Sequence, residues 1–181
     1  MNQAADGLIR CNWCSQDQVY IDYHDQEWGR EVTEDDQLFE KISLEGFQAG
    51  LSWLTILKRR ENFRESFEGF QIKKVARFSD SLVDQLMQNS GIIRNRKKIE
   101  SVINNARVLR DSGIDLSELV WSYKPEVDPD DHTRTTSNES IALSKKLKSM
   151  GFSFVGPTTM YAMMQSIGMV NDHDPNCFLK N

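Results

Sequence analysis

One stretch of nineteen residues, 41–59, constrains the fold most, and it reads K-I-S-L-E-G-F-Q-A-G-L-S-W-L-T-I-L-K-R. Its apolar residues recur every three or four positions, as on the buried face of a helix: Leu44, Phe47, Leu51, Leu54 and Leu57. Two glycines interrupt this pattern, and each costs a helix interior about 1 kcal/mol relative to alanine. We therefore predict that one helix ends near Gln48 and that the chain turns tightly at Ala49 and Gly50. A second helix would begin at Leu51 or Ser52.

Glu45 and Trp53 would face each other across this turn. A carboxylate that is buried among apolar and aromatic side chains must find hydrogen-bond donors or change its pKa. Glu45 is therefore a candidate functional group. The alternative is that Glu45 lies on a solvated helix face and that Trp53 is an ordinary core residue.

The composition is that of a globular protein, and the 181 residues fit a single domain, 1–181, in which two helical lobes are possible. No apolar run approaches the roughly 20 residues of a membrane helix, and the N-terminus lacks the features of a signal peptide. We therefore expect a cytoplasmic protein, with no membrane partner, that is a monomer. A net charge of −5 argues against bulk attraction to nucleic acid unless positive charge is gathered on one face.

Apolar periodicity predicts an all-α fold, with no strand of useful length. The predicted helices are a short one at 18–24, one with Thr33 as its N-cap, and others at 62–70, 82–87, 99–109, 116–121, 140–150 and 161–167. The acids at 34–36 would lie in the first turn of the helix that Thr33 caps, where the helix dipole favours them. In the 140–150 helix, Ile141, Leu143 and Leu147 are expected to face inward. Residues 152–159 would form a hairpin turn, and 125–138, which contains His132, one long loop.

Cysteine and histidine are rare, with three of each, and five of these six residues lie near the chain ends. Three cysteines cannot all pair within one chain, which disfavours a disulfide framework. Thiolate and imidazole ligands suit zinc, and Cys11, His24, His173 and Cys177 would form a closed site that joins both ends. The alternatives are buried thiols with surface imidazoles, or a redox or metal pair that includes Cys14 in the C-x2-C segment.

Four of the five residues at 94–98 are basic, and they lie where a helix begins. The helix dipole disfavours positive charge at that end, so a role in holding phosphate is attractive. The candidates for a phosphate-facing side are the basic residues of this segment and of a second one, namely Arg94, Arg96, Lys97 and Lys98, with Lys58, Arg59 and Arg60. Arg94 and Arg96 are the two that we select for substitution. The alternative is a solvated helix start.

Assembled in order, five strings resemble the bacterial 3-methyladenine DNA glycosylase I family of the helix-hairpin-helix superfamily. They are R-C-N-W at 10–13, Y-x2-Y-H-D-x-E-W-G at 20–29, L-E-G-x-Q-A-G-L-S-W at 44–53, G-I-I-R-N-R-x-K-I at 91–99, and F-V-G-x-T-T with V-N-D-H-x3-C up to Cys177. Together they span nearly the whole chain.

The resemblance implies hydrolysis of the N-glycosidic bond of 3-methyladenine in alkylated duplex DNA, with free 3-methyladenine as a product. It implies one structural zinc on Cys11, His24, His173 and Cys177, with Cys14 outside the set. Glu45 would hydrogen-bond the extruded base and Trp53 would stack on it. The pocket would be lined by Trp13, Tyr20 and Tyr23, and the DNA contacts would come from Gly50, Leu51, Arg94, Arg96, Val155 and Gly156.

The chain departs from the wider superfamily at three positions. Phe154 replaces the first glycine of the usual hairpin, so anion binding would rest on the backbone amides of Val155 and Gly156. Thr158 stands where bifunctional members carry a Schiff-base lysine, which implies a monofunctional enzyme. The superfamily's catalytic aspartate has no clear counterpart, and Asp172 is the candidate.

Two other classes of function share some of these features. A zinc-stabilised module that recognises damage without chemistry would need the basic segment and the hairpin, but no acid in an aromatic pocket. A redox protein would use Cys11 and Cys14, although the usual βαβ context is missing.

Overall fold

The structure is a computed structural model that describes residues 2–3, 6–126 and 133–180. Within these ranges the chain forms ten α-helices, one 3-10 helix and two very short strands. The strands are β1 (Asn2–Gln3) and β2 (Ile9–Arg10), and the 3-10 helix is Glu68–Phe70. The α-helices are α1 (Gln18–Gln26), α2 (Asp35–Gln48), α3 (Trp53–Leu57), α4 (Arg60–Ser66), α5 (Ile72–Val75), α6 (Asp80–Leu86), α7 (Arg96–Ser112), α8 (Leu116–Trp121), α9 (Asn138–Ser149) and α10 (Pro157–Ser166).

The prediction of a mostly helical protein is confirmed, with one correction. Strands β1 and β2 pair antiparallel, Asn2 opposite Arg10 and Gln3 opposite Ile9. Two residues per strand are too few to show a period of two in the sequence, so this ladder had no readable signal. In the part of the chain that the structure describes, no helix is long and apolar enough to cross a membrane.

Helix α2 lies at the centre of the fold, where it packs against α3, α7, α8 and α10. From Leu38 to Phe47 all but one of its residues are buried, so the helix has no solvated face over this length. A group of phenylalanines covers one side of it: the ring centroids of Phe47 and Phe63 lie 4.6 Å apart, and Phe67 stacks on Phe70 at 5.4 Å.

The predicted break in the central stretch is confirmed. Helix α2 ends at Gln48, Gly50 adopts a left-handed φ of 80°, and the Ser52 side chain caps α3 by accepting from the Thr55 amide at 3.2 Å. We call residues 49–52 the α2–α3 turn. Leu51 was expected in the buried stripe, but it is 40% exposed because it belongs to this turn and not to a helix.

Gly46 lies within α2 because the backbone of a second turn passes close to it. A Cβ atom at this position would lie 3.3 Å from the Cβ of Phe154 and 3.4 Å from its carbonyl oxygen. Phe154 belongs to the segment between α9 and α10, residues 150–156, which we call the α9–α10 turn. The glycine therefore allows the two turns to approach each other.

The start of α2 differs from the prediction. Thr33 is not the N-cap; Glu34 occupies that position and makes no side-chain cap bond. Asp35 and Asp36 instead bind other elements, since their carboxylates accept from the amides of Ser117 at 2.8 Å and Ile72 at 2.9 Å. The sequence predicted that these acids stabilise their own helix through its dipole. In the structure they accept hydrogen bonds from the first turns of α8 and α5.

Three further differences concern helix ends and faces. Ile141 is 49% exposed, because the buried face of α9 runs through Ser140, Leu143, Ser144 and Leu147, at intervals of three and four. Helix α5 was missed because four residues give no period. Helix α10 begins at Pro157, a residue well suited to the first helical position, and not at Tyr161. Part of the predicted 125–138 loop, with His132, lies outside the described residues.

Two apolar residues of α9, Ile141 and Leu143, test which face of this helix is buried. Leu143→Ala should lower the free energy of unfolding by about 2 to 5 kcal/mol, because Leu143 is fully buried and its truncation leaves a cavity. Ile141→Ala, on the exposed face of the same helix, should change it by no more than about 0.5 kcal/mol. Chemical denaturation of both variants measures the difference; equal losses would mean that α9 is turned toward the core as the sequence first indicated.

Candidate functional site

A cavity of about 210 Å³ opens between α1, α2, α3, α10 and the C-terminal segment. Its walls bring together all five residues that were predicted to hold a base. The lining residues are Trp13, Tyr20, Tyr23, Trp28, Glu45, Gln48, Trp53, Ala162, Gln165, Asp172 and Asp174.

Glu45 is the buried acid of this cavity. Its side chain projects from the last turns of α2, and only 5% of the residue is exposed. Burial raises the pKa of its carboxyl to about 8, and the charge of Lys41 opposes this rise. Among the described residues no donor hydrogen-bonds the carboxylate. The interpretation of Glu45 as a residue on a solvated face is therefore wrong.

Aromatic rings form most of the remaining wall. Trp13 lies 5.2 Å from Tyr20 and 5.0 Å from Trp28, between ring centroids, and Tyr23 lies 5.5 Å from Trp53. Burial also raises the pKa of Tyr23, so this phenol stays neutral. Trp28 was missed as a lining residue, although it stands in one of the quoted strings; nothing in its spacing indicated that its ring would turn toward the cavity.

Behind Tyr23 lies a group of three charged residues. Glu27 accepts from Lys41 Nζ at 2.5 Å and from Arg60 at 2.5 Å. Burial acts to raise the pKa of Glu27, but Lys41 and Arg60 outweigh it and hold the pKa below its usual value. The ammonium of Lys41 also lies 5.4 Å from the centroid of the Tyr23 ring. The group thus fixes the position of Tyr23 in the cavity wall. It also contains Lys41, the cation whose charge acts to lower the pKa of Glu45.

A second buried carboxylate, Asp172 of the C-terminal segment, also lines the cavity. Its Oδ2 accepts from the Tyr161 hydroxyl at 2.6 Å and from Gln165 Nε2 at 2.9 Å. Both donors belong to α10, so the position of this carboxylate is set by the helix that follows the α9–α10 turn.

The four predicted metal ligands form one buried group whose ligand atoms all lie within 4.8 Å of one another. The Cys11 sulfur lies 3.4 Å from His173 Nδ1, and the Cys177 sulfur lies 3.4 Å from His24 Nε2. Cys14 is not a member: its sulfur faces the carbonyl oxygens of Ser15 and Tyr20, at 3.6 and 3.7 Å. The structure therefore brings Cys11 to the C-terminal pair and not to Cys14.

The chemistry of this donor set fits a metal ion. Burial lowers the pKa of His24 and lowers that of His173 to about 4, so both rings are neutral and keep a lone pair for a ligand bond. His24 Nδ1 donates to Asp25 at 2.8 Å, which leaves Nε2 for the group. Arg10, bonded to Asp25 at 2.6 and 2.9 Å, holds that carboxylate in turn.

The residues predicted to contact DNA fall into two turns and one helix start. Gly50 and Leu51 are exposed in the α2–α3 turn. Val155 and Gly156 close the α9–α10 turn, where the Val155 side chain is fully buried and its carbonyl accepts from Ser144 at 2.6 Å. Phe154 adopts a left-handed φ of 57°, so it takes the conformation of the glycine that it replaces.

The basic segment is less uniform than the sequence suggested. Arg94 and Arg96 are exposed, but Arg96 pairs with Asp84 and lies 3.6 Å from Glu100. Lys98 is buried, and its Nζ donates to the carbonyl oxygens of Phe47 and Ala49. Lys98 is thus not a solvated charge, and Arg94 remains the candidate with least compensation.

Comparison with known proteins supports a single family. A family model described as methyladenine glycosylase matches residues 13–180. The DNA-3-methyladenine glycosylase of Haemophilus influenzae is 48% identical, over 93% of this chain and 96% of that protein. DNA-3-methyladenine glycosylase 1 of Escherichia coli is 47% identical, over 94% of this chain and 96% of that protein.

Solved structures agree in fold. A crystal structure of a 3-methyladenine DNA glycosylase I superimposes with a TM-score of 0.88 at 45% identity, covering 94% of this chain and 99% of that one. The Staphylococcus aureus 3-methyladenine DNA glycosylase I, solved for its recognition of 3-methyladenine, gives 0.86 at 34% identity, over 95% and 96% of the two chains. The chain described here belongs to the methyladenine glycosylase family.

Proposed function

We propose that this protein is a DNA-3-methyladenine glycosylase, which hydrolyses the N-glycosidic bond of 3-methyladenine in alkylated duplex DNA. The observation that carries the proposal is a buried carboxylate, Glu45, that has no donor among the described residues and lies in a cavity of aromatic rings. Burying a carboxylate without a donor costs folding free energy, and such a group is kept in a protein where a ligand supplies the missing hydrogen bonds. The named activity of the relatives and the base recognised by the S. aureus protein fit this cavity.

The substrate explains why these residues suffice. A purine methylated at N3 is cationic in DNA, so its glycosidic bond is already weakened, and the enzyme mainly has to extrude and hold the base. Trp53 and the other rings stack on the cation. Ionised Glu45 accepts from the exocyclic amine, and the positive charge of the base favours that ionised form against the effect of burial.

Cleavage then needs no covalent help from the protein. The electron pair of the C1′–N bond passes to the base, which leaves neutral, and water adds to C1′ of the sugar. The water loses a proton, so that the products are the free base and an abasic site. No lysine occurs among the described residues that line the cavity, which favours hydrolysis without a Schiff base and hence a monofunctional enzyme. An unmethylated adenine carries no charge and gains less from the same walls.

Two turns are suited to hold the duplex while the base is extruded. Helix α9, the α9–α10 turn and α10 form the helix-hairpin-helix, in which the backbone amides of Val155 and Gly156 lie at the start of α10, where anions are favoured. Gly50 and Leu51 lie exposed in the α2–α3 turn, next to the cavity wall that Glu45 and Gln48 form. Arg94 adds a positive charge.

We also propose that the Cys2His2 group holds one structural zinc ion. Two thiols and two imidazoles in a closed, buried set form the donor type that structural zinc sites use. The ion would join residue 11 to residue 177, and both linked segments contribute to the cavity, through Trp13 and through Asp172 and Asp174. Zinc thus supports the cavity and takes no part in bond cleavage.

Replacing Glu45 by glutamine tests the assignment. Glu45→Gln should slow excision of 3-methyladenine about 10- to 100-fold, because a charge-assisted contact to the base is lost and a donor faces the amine. Release of the free base from methylated duplex, followed chromatographically, measures the rate. Glu65→Gln, on the exposed face of α4, is the matched control and should excise as wild type does. A Glu45→Gln enzyme of full activity would remove Glu45 from the reaction.

The pH dependence of the stability of Glu45→Gln distinguishes a folded, inactive enzyme from an unfolded one. The folded pKa of Glu45, about 8, lies above the unfolded value near 4.5. Between these values unfolding releases a proton, so this carboxyl lowers the stability of the wild type as pH rises from 5 to 8. Glu45→Gln should therefore gain stability relative to wild type over that window, which separates loss of activity from loss of fold.

Loss of any ligand should open the metal site. Cys11→Ser or Cys177→Ser should purify with much less than one zinc per chain and unfold at lower denaturant concentration, since the ion joins the two ends. Cys14→Ser is the matched control, because its sulfur lies outside the group, and it should keep the metal. Metal content of the purified proteins decides; retention in Cys177→Ser with loss in Cys14→Ser would show a different ligand set.

The two arginines should differ in their effect on DNA. Arg94→Gln should weaken binding to any duplex and lower the slope of log K against log salt by about one, as expected for one phosphate contact. Arg96→Gln should change the slope less, because Asp84 and Glu100 already compensate Arg96. Fluorescence anisotropy of an undamaged duplex at several salt concentrations measures both. Equal slopes for wild type and Arg94→Gln would place the phosphate contacts elsewhere.

A further inference from the structure

Helix α7 contacts both turns that the proposed function assigns to DNA. Near its start, Lys98 Nζ donates to the carbonyl oxygen of Phe47 in the last turn of α2, at 2.8 Å, and to that of Ala49 at the start of the α2–α3 turn, at 2.5 Å. Further along, Asn105 Nδ2 donates to the Ser153 carbonyl and Asn105 Oδ1 accepts from the Ser153 amide, each at 3.0 Å. Ser153 lies in the α9–α10 turn.

Both side chains are buried and lie on one face of α7. Lys98 is 6% exposed and Asn105 is 3% exposed. They are separated by seven residues, which is two helical turns and about 10 Å along the axis. Each binds backbone atoms of the neighbouring segment, although Asn105 Oδ1 also accepts from Asn104 Nδ2 at 3.3 Å. The spacing of the two turns therefore follows from the length of a rigid helix.

Two local effects, the helix dipole and burial, disfavour the charge of Lys98 at its position. It lies in the first turn of α7, where the helix dipole disfavours a cation, and burial lowers its pKa. The compensation comes from α2, because Phe47 and Ala49 present carbonyl oxygens at the end of that helix, where a cation is favoured. The ammonium thus joins α7 to the end of α2.

We propose that Lys98 and Asn105 are positioning residues, which hold the α2–α3 turn and the α9–α10 turn at the one separation that lets the duplex bind and the base enter the cavity together. The proposal rests on the proposed function. Gly46 supports it independently, since its missing side chain lets α2 approach Phe154 of the second turn. Neither residue lines the cavity, so their contribution is to the DNA complex and not to the grip on the base.

The consequence is a separation of two activities. In Lys98→Met and in Asn105→Leu, excision from methylated duplex under single turnover, at saturating enzyme, should fall at least about tenfold. The affinity for free 3-methyladenine, measured by calorimetry, should change by less than about threefold. Lys73→Met, which removes an exposed lysine from α5, is the matched control and should excise as wild type does.

The measurements are made at a temperature at which circular dichroism shows each variant folded. Should Lys98→Met not fold, Asn105→Asp serves in its place, because it keeps the acceptor for the Ser153 amide, loses the donor and turns a carboxylate oxygen toward the Ser153 carbonyl. Excision at the wild-type rate in these variants would overturn the proposal, and so would a loss of free-base affinity equal to the loss of excision. A wild-type protein that releases no base would instead refute the proposed function.

Discussion

The burial of α2 on all sides is the constraint on which the rest of the structure depends. The polar groups on a central helix with no solvated face depend on neighbouring elements for their partners. Lys41 pairs with Glu27, and carbonyl oxygens at the C-terminal end of α2 accept from Lys98. Two buried side chains of α2 lack a partner among the described residues: Ser43 Oγ makes no hydrogen bond, and no donor binds the Glu45 carboxyl. Of these two, Glu45 lies at the wall of the cavity, so the candidate site is where an uncompensated carboxyl of the central helix is open to a ligand.

The same constraint explains the arrangement of the chain ends. Trp13 and Tyr20 come from the first residues of the described chain, and Asp172 and Asp174 come from the last, yet all four line the cavity. Neither end forms a long helix of its own that could hold such residues in place. The Cys2His2 group lies where these segments meet, so four buried side chains bring the two ends together in place of an extended packing surface.

The sequence predicted the parts of the fold that depend on local chemistry. The helix end at Gln48, the left-handed Gly50 and α8 follow from glycine conformation and apolar period, and they are confirmed. It could not predict partners at long range: Asp35 and Asp36 read as acids of their own helix, yet they bind the starts of α8 and α5. Lys98 read as a phosphate ligand for the same reason, since a lysine in a basic run carries no sign of the carbonyl groups that bury it. Five of the eleven cavity residues were accessible because the resemblance marked them, whereas five others required the coordinates: Trp28, Gln48, Ala162, Gln165 and Asp174.

Three of the four tryptophans, Trp13, Trp28 and Trp53, line a single cavity, and only Trp121 lies elsewhere, with its indole nitrogen donating to the Val32 carbonyl. A purine bound in this cavity would change the surroundings of three indole rings, while the fourth would serve as an internal reference. Intrinsic tryptophan emission would then report occupancy of the cavity, so that capture and release of a base could be timed without attaching a dye.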